Sequence, residues 1–248
     1  MPDRLRIPIP GSRLSKGLLC AACVAMISGC GSNRTVPATG PTPGFNPAQF
    51  AKSDIDRVAE AQQREIFTNL KLLTEKLYRR NPKELRKSGQ PTVGAGVTRI
   101  FEGEHQWRFA ELKGTRDIHA LQLAFRDDYR GDRVLAFVVG LASMIQTAFN
   151  DKTEFFVLDD LDAQRLYNAA RNAEIAVWKL STSRDANGQL YLLSNATRGS
   201  VQNLSYEREF GKIINSLDVT SKIVGDKNNR TVVKVVQSLA TAVFLPIK

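Results

Sequence analysis

Two histidines and the carboxylates near them are the first side chains in this sequence that could do chemistry. Glu102, Glu104, His105 and His119 make up the cluster that holds both histidines of the chain. Imidazole and carboxylate together bind zinc, and zinc hydrolases set two histidines four apart on one helix face so that both reach one ion. Here the histidines stand 14 positions apart in a stretch with no helical period. Surface or hydrogen-bonded histidines suit that spacing better, and no metal is assigned. Asp159, Asp160 and Asp162 offer oxygens for calcium, but an EF-hand loop also needs a central glycine and a closing glutamate, which "DDLDAQRLYNAA" lacks. Acids at that point suit a helix start, where they complement the macrodipole. The sequence contains neither Gly-x-Ser-x-Gly nor Ser-x-x-Lys, so no catalytic residue and no cofactor is assigned.

Cations are more conspicuous. In "YRRNPKELRK", residues 78–87, Arg79, Arg80, Lys83, Arg86 and Lys87 gather around a helix break. They form a candidate anion-binding cluster for phosphates or anionic headgroups, helped by backbone N–H groups behind Pro82. A solvated helix end, where cations are electrostatically favoured, explains the same residues. A second stretch, "LYNAARNAEIAVWKL" at 166–180, carries Asn168, Arg171, Asn172 and Trp178. Buried asparagines there would line a groove for a ligand or partner; an exposed face accounts for them equally well.

The chain has three cysteines. Cys20 and Cys23 lie within a short apolar run, residues 17–29, that follows Arg4, Arg6, Arg13 and Lys16. A basic segment followed by a short apolar one is the layout of a secretory signal. A membrane-spanning helix needs about 20 apolar residues, more than this run supplies. Cys20 and Cys23 are therefore read as small apolar residues of a discarded segment, not as a redox pair. The third cysteine ends Ile27-Ser28-Gly29-Cys30, which resembles the lipobox of bacterial lipoprotein precursors. That resemblance covers about the first 30 residues and implies a diacylglyceryl group on the Cys30 thiol, cleavage between Gly29 and Cys30, and acylation of the new amino terminus. Two or three acyl chains anchor a protein stably, at about 0.8 kcal/mol per buried CH₂. Gly31 follows the cysteine where lipoproteins kept in the inner membrane of Gram-negative bacteria typically carry Asp. The resemblance thus implies an outer-membrane anchor facing the periplasm. With Cys30 lipidated, the mature chain would have no free thiol, and its fold must rest on its core.

Removing residues 1–29 strips four cations and one anion from a chain of net charge +10 and leaves it clearly basic. In the envelope such a balance attracts anionic lipid headgroups or cell-wall polymers, or simply keeps the protein in solution; nucleic acid is not an expected partner. Residues 30–52 read as a lipidated cysteine and a tether, because Pro37, Pro41, Pro43 and Pro47 prevent helix propagation.

The elements that must position these groups are mainly helical: one multi-helix domain, residues 53–248, with a few short extended segments. Ser53 with Asp56 is a capping-box pair, and Ile55, Val58, Ala59, Ile66, Leu70, Leu73 and Leu77 follow at helical spacing until Asn81-Pro82. Asn81 would cap a short helix starting at Pro82. Residues 90–114 contain four glycines and read as loop, with a short strand near 106–109. Ile118, Leu121 and Phe125 restore the period, and Asp132 caps a segment at 134–149 that is apolar on nearly every side. Its Ala136 and Gly140, four apart, suit close helix packing, but Gln146, Thr147 and its length favour a central core helix over a membrane span. "EFFVL" at 154–158 is β-prone, and helices are expected at 160–182, 205–224 and 229–244, with a turn at 185–188 and an extended piece at 190–193. The valines of 229–244 leave a strand open as an alternative.

From these features the sequence suggests a lipid-anchored, non-enzymatic adaptor or accessory subunit docking on envelope proteins. The alternative is a carrier or sensor of an amphiphile, with the 134–149 helix lining an apolar cavity and the basic cluster meeting the headgroup. An envelope hydrolase is the third class.

Overall fold

Ser53 opens the first helix as its neighbours require: its hydroxyl accepts from Asp56 N, and the Asp56 carboxylate accepts from Ser53 N and Oγ, a reciprocal capping box. The computed structural model describes residues 52–156, 159–198 and 201–247. Gly29, Cys30, the Cys20/Cys23 pair and nearly all of the tether lie outside the described residues, as do Val157 and Leu158 of the β-prone patch.

The fold is mainly α, with seven α-helices among the described residues. Helix α1, Asp54–Arg80, buries one face through Ile66, Leu70, Leu73 and Leu77. Two short helices follow, α2 at Pro82–Lys87 and α3 at Val93–Phe101. A single 3-10 turn at Ala110–Leu112 leads into α4, Asp117–Leu123. Helix α5, Arg133–Ala148, is the centre of the molecule: every residue in it except Thr147 is buried. Helices α6, Ala163–Thr182, and α7, Ser205–Lys227, pack along each other. Between them β1, Ala196–Arg198, and β2, Val201–Asn203, pair antiparallel with Thr197 opposite Gln202. Helix α1 contacts α3, α5 and α7, and α4 lies on α5.

Asp132 caps α5 by accepting from Val134 N and Leu135 N, and Asp162 caps α6 by accepting from Gln164 N and Arg165 N. No helix among the described residues is long and apolar enough to cross a membrane. The apolar α5 is covered by protein instead, and Gly140 is where its backbone meets another helix. A Cβ there would lie 2.3 Å from Leu121 N and 2.6 Å from Leu121 Cα, so α4 sits on α5 at a distance only glycine permits.

Three sequence expectations need correction. Residues 90–114 are not loop throughout, since they include α3 and the 3-10 turn, and no strand forms at 106–109. Thr92 starts α3 by accepting from Ala95 N, and Gly96 lets it approach α1 and α2, because a Cβ would stand 3.2 Å from Leu85 and 3.3 Å from Tyr78. Gly96 serves packing, whereas Gly114, at φ 69°, does serve a turn. Asn81 precedes α2, but its side chain makes no capping bond. It spans to a distant segment, accepting from Leu193 N and donating to Leu193 O. Finally, residues 230–238 and 242–247 form no helix and no sheet ladder. Four β-branched valines within 232–236 weaken a helix there, and contacts with α6 reward an extended chain instead.

Candidate docking strand

Helix α6 holds the C-terminal arm, residues 230–247, through its polar side chains. Gln164 takes Val233 at two points, accepting from its N–H at 2.8 Å and donating to its carbonyl at 3.1 Å. One turn on, the Tyr167 hydroxyl accepts from Val235 N at 3.1 Å and lies 3.3 Å from Val235 O. Asn168 donates to Pro246 O, and the fully buried Asn172 accepts from Leu245 N at 2.6 Å while donating to Leu245 O at 2.8 Å. Gln237 treats Val243 the same way within the arm. A side-chain amide presents one donor and one acceptor, the same pair a strand offers its neighbour. The helix thus satisfies one side of an extended chain without being a strand. Asn168 and Asn172 are thus buried, and what they bond is the main chain of residues 245–246.

The register of these bonds fixes the other side. Val233 and Val235 both turn their N–H and C=O toward α6, and in an extended chain the groups of intervening residues point the opposite way. The main-chain groups of Lys234 and Val236 make no hydrogen bond among the described residues. Side chains accompany this open edge: Val233 is 68 % exposed, Val236 98 % and Val243 71 %. Val232, Phe244 and Ile247 face the core and fasten the arm to it.

The residues singled out by their chemistry have separate fates. His105 and His119 line different grooves, Glu102 and Glu104 lie on a surface depression with His105, and no three His, Cys, Asp or Glu groups among the described residues could hold a metal. Asp159 pairs with Lys152 and accepts from Phe156 N, while Asp160 meets Asn228 and Arg230. With Asp162 capping α6, these acids have local partners in place of calcium. In the basic cluster Arg79 binds Glu75, and Lys87 binds Glu84 and Gly131 O. Arg80, Lys83 and Arg86 are exposed, and their side chains make no hydrogen bond or ion pair among the described residues. The five are not drawn into one pocket, and α2 beside them spans only six residues. Two grooves reach the end of α5, one at Thr147 and one at Gln146.

No protein-family model, curated protein or solved structure matches the chain.

Sequence reasoning found the helix face that grips the arm but not the arm's role. The signal that left a strand open as the alternative is "VVKVV" at 232–236. Its valines satisfy helical spacing by count, and only their density of β-branching argues for an extended chain.

Proposed function

We propose that this protein is a lipid-anchored, periplasm-facing protein of the bacterial outer membrane that works as an adaptor. Cys30 carries the anchor, and the folded part docks on another envelope protein instead of turning over a substrate. The observation that supports docking most directly is the open, valine-rich edge at 232–236, held in place from behind by α6. Exposed strand edges recruit further strands, with main-chain hydrogen bonds supplying affinity and alternate side chains supplying specificity.

The partner is an extended segment bearing an acid. Were two copies of "VVKVV" to pair antiparallel about their centres, Lys234 would face Lys234, and like charges directly opposed destabilise a strand pair. A strand with Asp or Glu opposite Lys234 and β-branched residues beside it removes that repulsion. The charge pattern therefore favours a different protein over a second copy. The exposed Arg80, Lys83 and Arg86 remain available to anionic headgroups at the membrane surface.

The test is cross-linking in cells that express the full-length chain, followed by purification and mass spectrometry of proteins and lipids. A stoichiometric protein partner, lost in Lys234→Glu and Val236→Asp but kept in an Arg80→Ala control, is the expected result. Specific lipid without a protein partner overturns the adaptor reading in favour of an amphiphile carrier. Anchoring is tested separately: Cys30→Ser should lose acyl labelling and leave the membrane fraction. Retention of the label would sink the lipoprotein assignment.

A further inference from the structure

Two neighbouring grooves that share Arg116 and Asp151 lie where α4 begins and α5 ends, built from residues the docking edge does not use. The larger, about 750 Å³, includes Arg108, His119, Arg126 and Thr147 in its wall. The smaller, about 450 Å³, includes Phe101, His105, Trp107 and Gln146. Arg116 and Asp151 border both. Arg116 Nη2 donates to Thr147 Oγ1 at 3.0 Å and to Asp151 Oδ1 at 2.5 Å, and its Nε stands 3.5 Å from Asp117 Oδ1. Thr147 in turn donates to Asp117 Oδ1 at 3.1 Å, and Asp117 N donates to Ser143 Oγ at 2.6 Å. This network makes a rigid polar floor.

The backbone around the floor is held in a costly form. Gln106, Trp107, Asp117, Asn150 and Asp151 all have φ between 49° and 62°, a region that non-glycine residues seldom adopt and that accumulates where side chains must be aimed. Among the products is a fixed aromatic wall. Trp107 stacks on Phe67 with centroids 5.9 Å apart and meets the edge of Phe101 at 5.7 Å. His105 Nδ1 accepts from Trp107 N at 3.0 Å, which leaves Nε2 as an N–H donor; it has no partner among the described residues. Charge is unevenly satisfied too. Arg126 is paired with Asp128, and Arg116 with Asp117 and Asp151, but Arg108 donates only to the Gly114 carbonyl and meets no carboxylate among the described residues.

An aromatic wall beside amide, carboxylate and guanidinium groups suits a ligand with an apolar face and a hydroxylated rim, and an unneutralised guanidinium suits a carboxylate on that ligand. We propose that these two grooves together bind an acidic oligosaccharide. The C–H face of one ring lies against Trp107, its hydroxyls hydrogen-bond Asp151 and Gln146, and the carboxylate of a neighbouring ring meets Arg108 in the adjoining groove.

The chain contains two tryptophans, so Trp178→Phe leaves Trp107 as the sole indole reporter in the full-length protein. Titration with galacturonate oligomers should give a saturable change in Trp107 fluorescence, weakened about tenfold or more by Arg108→Gln, in line with loss of a charge-assisted contact. Maltose oligomers should bind more weakly by a similar factor, and sodium sulfate should leave the signal unchanged. The proposal is overturned if galacturonate gives no saturable change, if sulfate reproduces the change, or if Arg108→Gln or the neutral sugar binds as well. Should Trp178→Phe fail to fold, calorimetric titration of the unsubstituted protein and of Arg108→Gln reads the same series. Because the docking edge is untouched by these variants, their outcome is independent of whether a protein partner exists.

Discussion

Asp132 does two jobs with one carboxylate. Oδ1 accepts from Val134 N and Leu135 N at the start of α5, and Oδ2 accepts from the Tyr78 hydroxyl at 2.7 Å. Burial pushes its pKa up to about 6, with the Glu84 charge adding to the rise and the Tyr78 hydroxyl and backbone N–H groups opposing it. Burial, with the Asp132 charge second, also drives Tyr78 far above its usual range. An unfolded chain releases the Asp132 proton near pH 4. Between pH 4 and about 6 the folded state binds more protons than the unfolded one, so this residue's contribution to stability declines as pH rises through that window. Asp132→Asn keeps an oxygen for the cap and removes the titration. The expected outcome is a loss of the decline, on the order of 2 kcal/mol between pH 4 and 7, read from urea unfolding of both proteins at each pH. The cap itself was legible, since Asp precedes an apolar run. Tyr78, 54 positions earlier, was not, because no local pattern records which distant hydroxyl a buried carboxylate meets.

Among the elements, α4 and α5 show what periodicity conveys and omits. An apolar segment ending in Gln146 and Thr147 reads as a core helix, and α5 is one. That Gly140 serves contact with the seven-residue α4 follows only from the packed pair. A methyl group at Gly140 would meet α4 backbone, not a movable side chain tip, so relief requires α4 to shift. Gly140→Ala should therefore destabilise by about 1–3 kcal/mol, measured by denaturant unfolding, and should also disturb the α4 end of the groove, read as weaker galacturonate binding. Helix α3 and the arm mark the two ways the sequence pattern misled. Gly96 reads as a breaker in sequence but permits close packing. The valines of 232–236 read as a helical face with a strand as the alternative, and no helix forms there. In both cases tertiary contacts outweigh a local preference of under about 1 kcal/mol per residue.

Across the whole molecule, the two ends of the long α1–α7 contact are tied by ion pairs, Asp56 with Lys227 and Glu209 with Lys76. Burial pushes both carboxyls up, but hydrogen bonds and the facing lysines prevail and hold each below its ordinary value. Their contribution is present above the unfolded pKa and is lost as pH falls below about 4, the reverse of Asp132. The arm is a further tie, closing over α6 from the far end of the chain. A protein ending at residue 229 leaves buried Asn172 without the Leu245 main chain and uncovers the sites of Ala242 and Ile247. It should lose more than about 3 kcal/mol of stability by urea unfolding while keeping its helical circular dichroism, since the arm contributes no helix.

The sequence by itself determined the helical class, the starts of α1 and α5, and the core status of α5, because caps and 3.6-residue periodicity act between neighbours in the chain. Tertiary structure decided what the polar faces are for. Asn81 clamps Leu193, Asn172 clamps Leu245, and Arg116 gathers Thr147 and Asp151. Each of these bonds joins groups at least 31 positions apart. A side-chain amide or guanidinium carries the same donors wherever it stands, and only the packing of helices brings it to the backbone or carboxylate it serves.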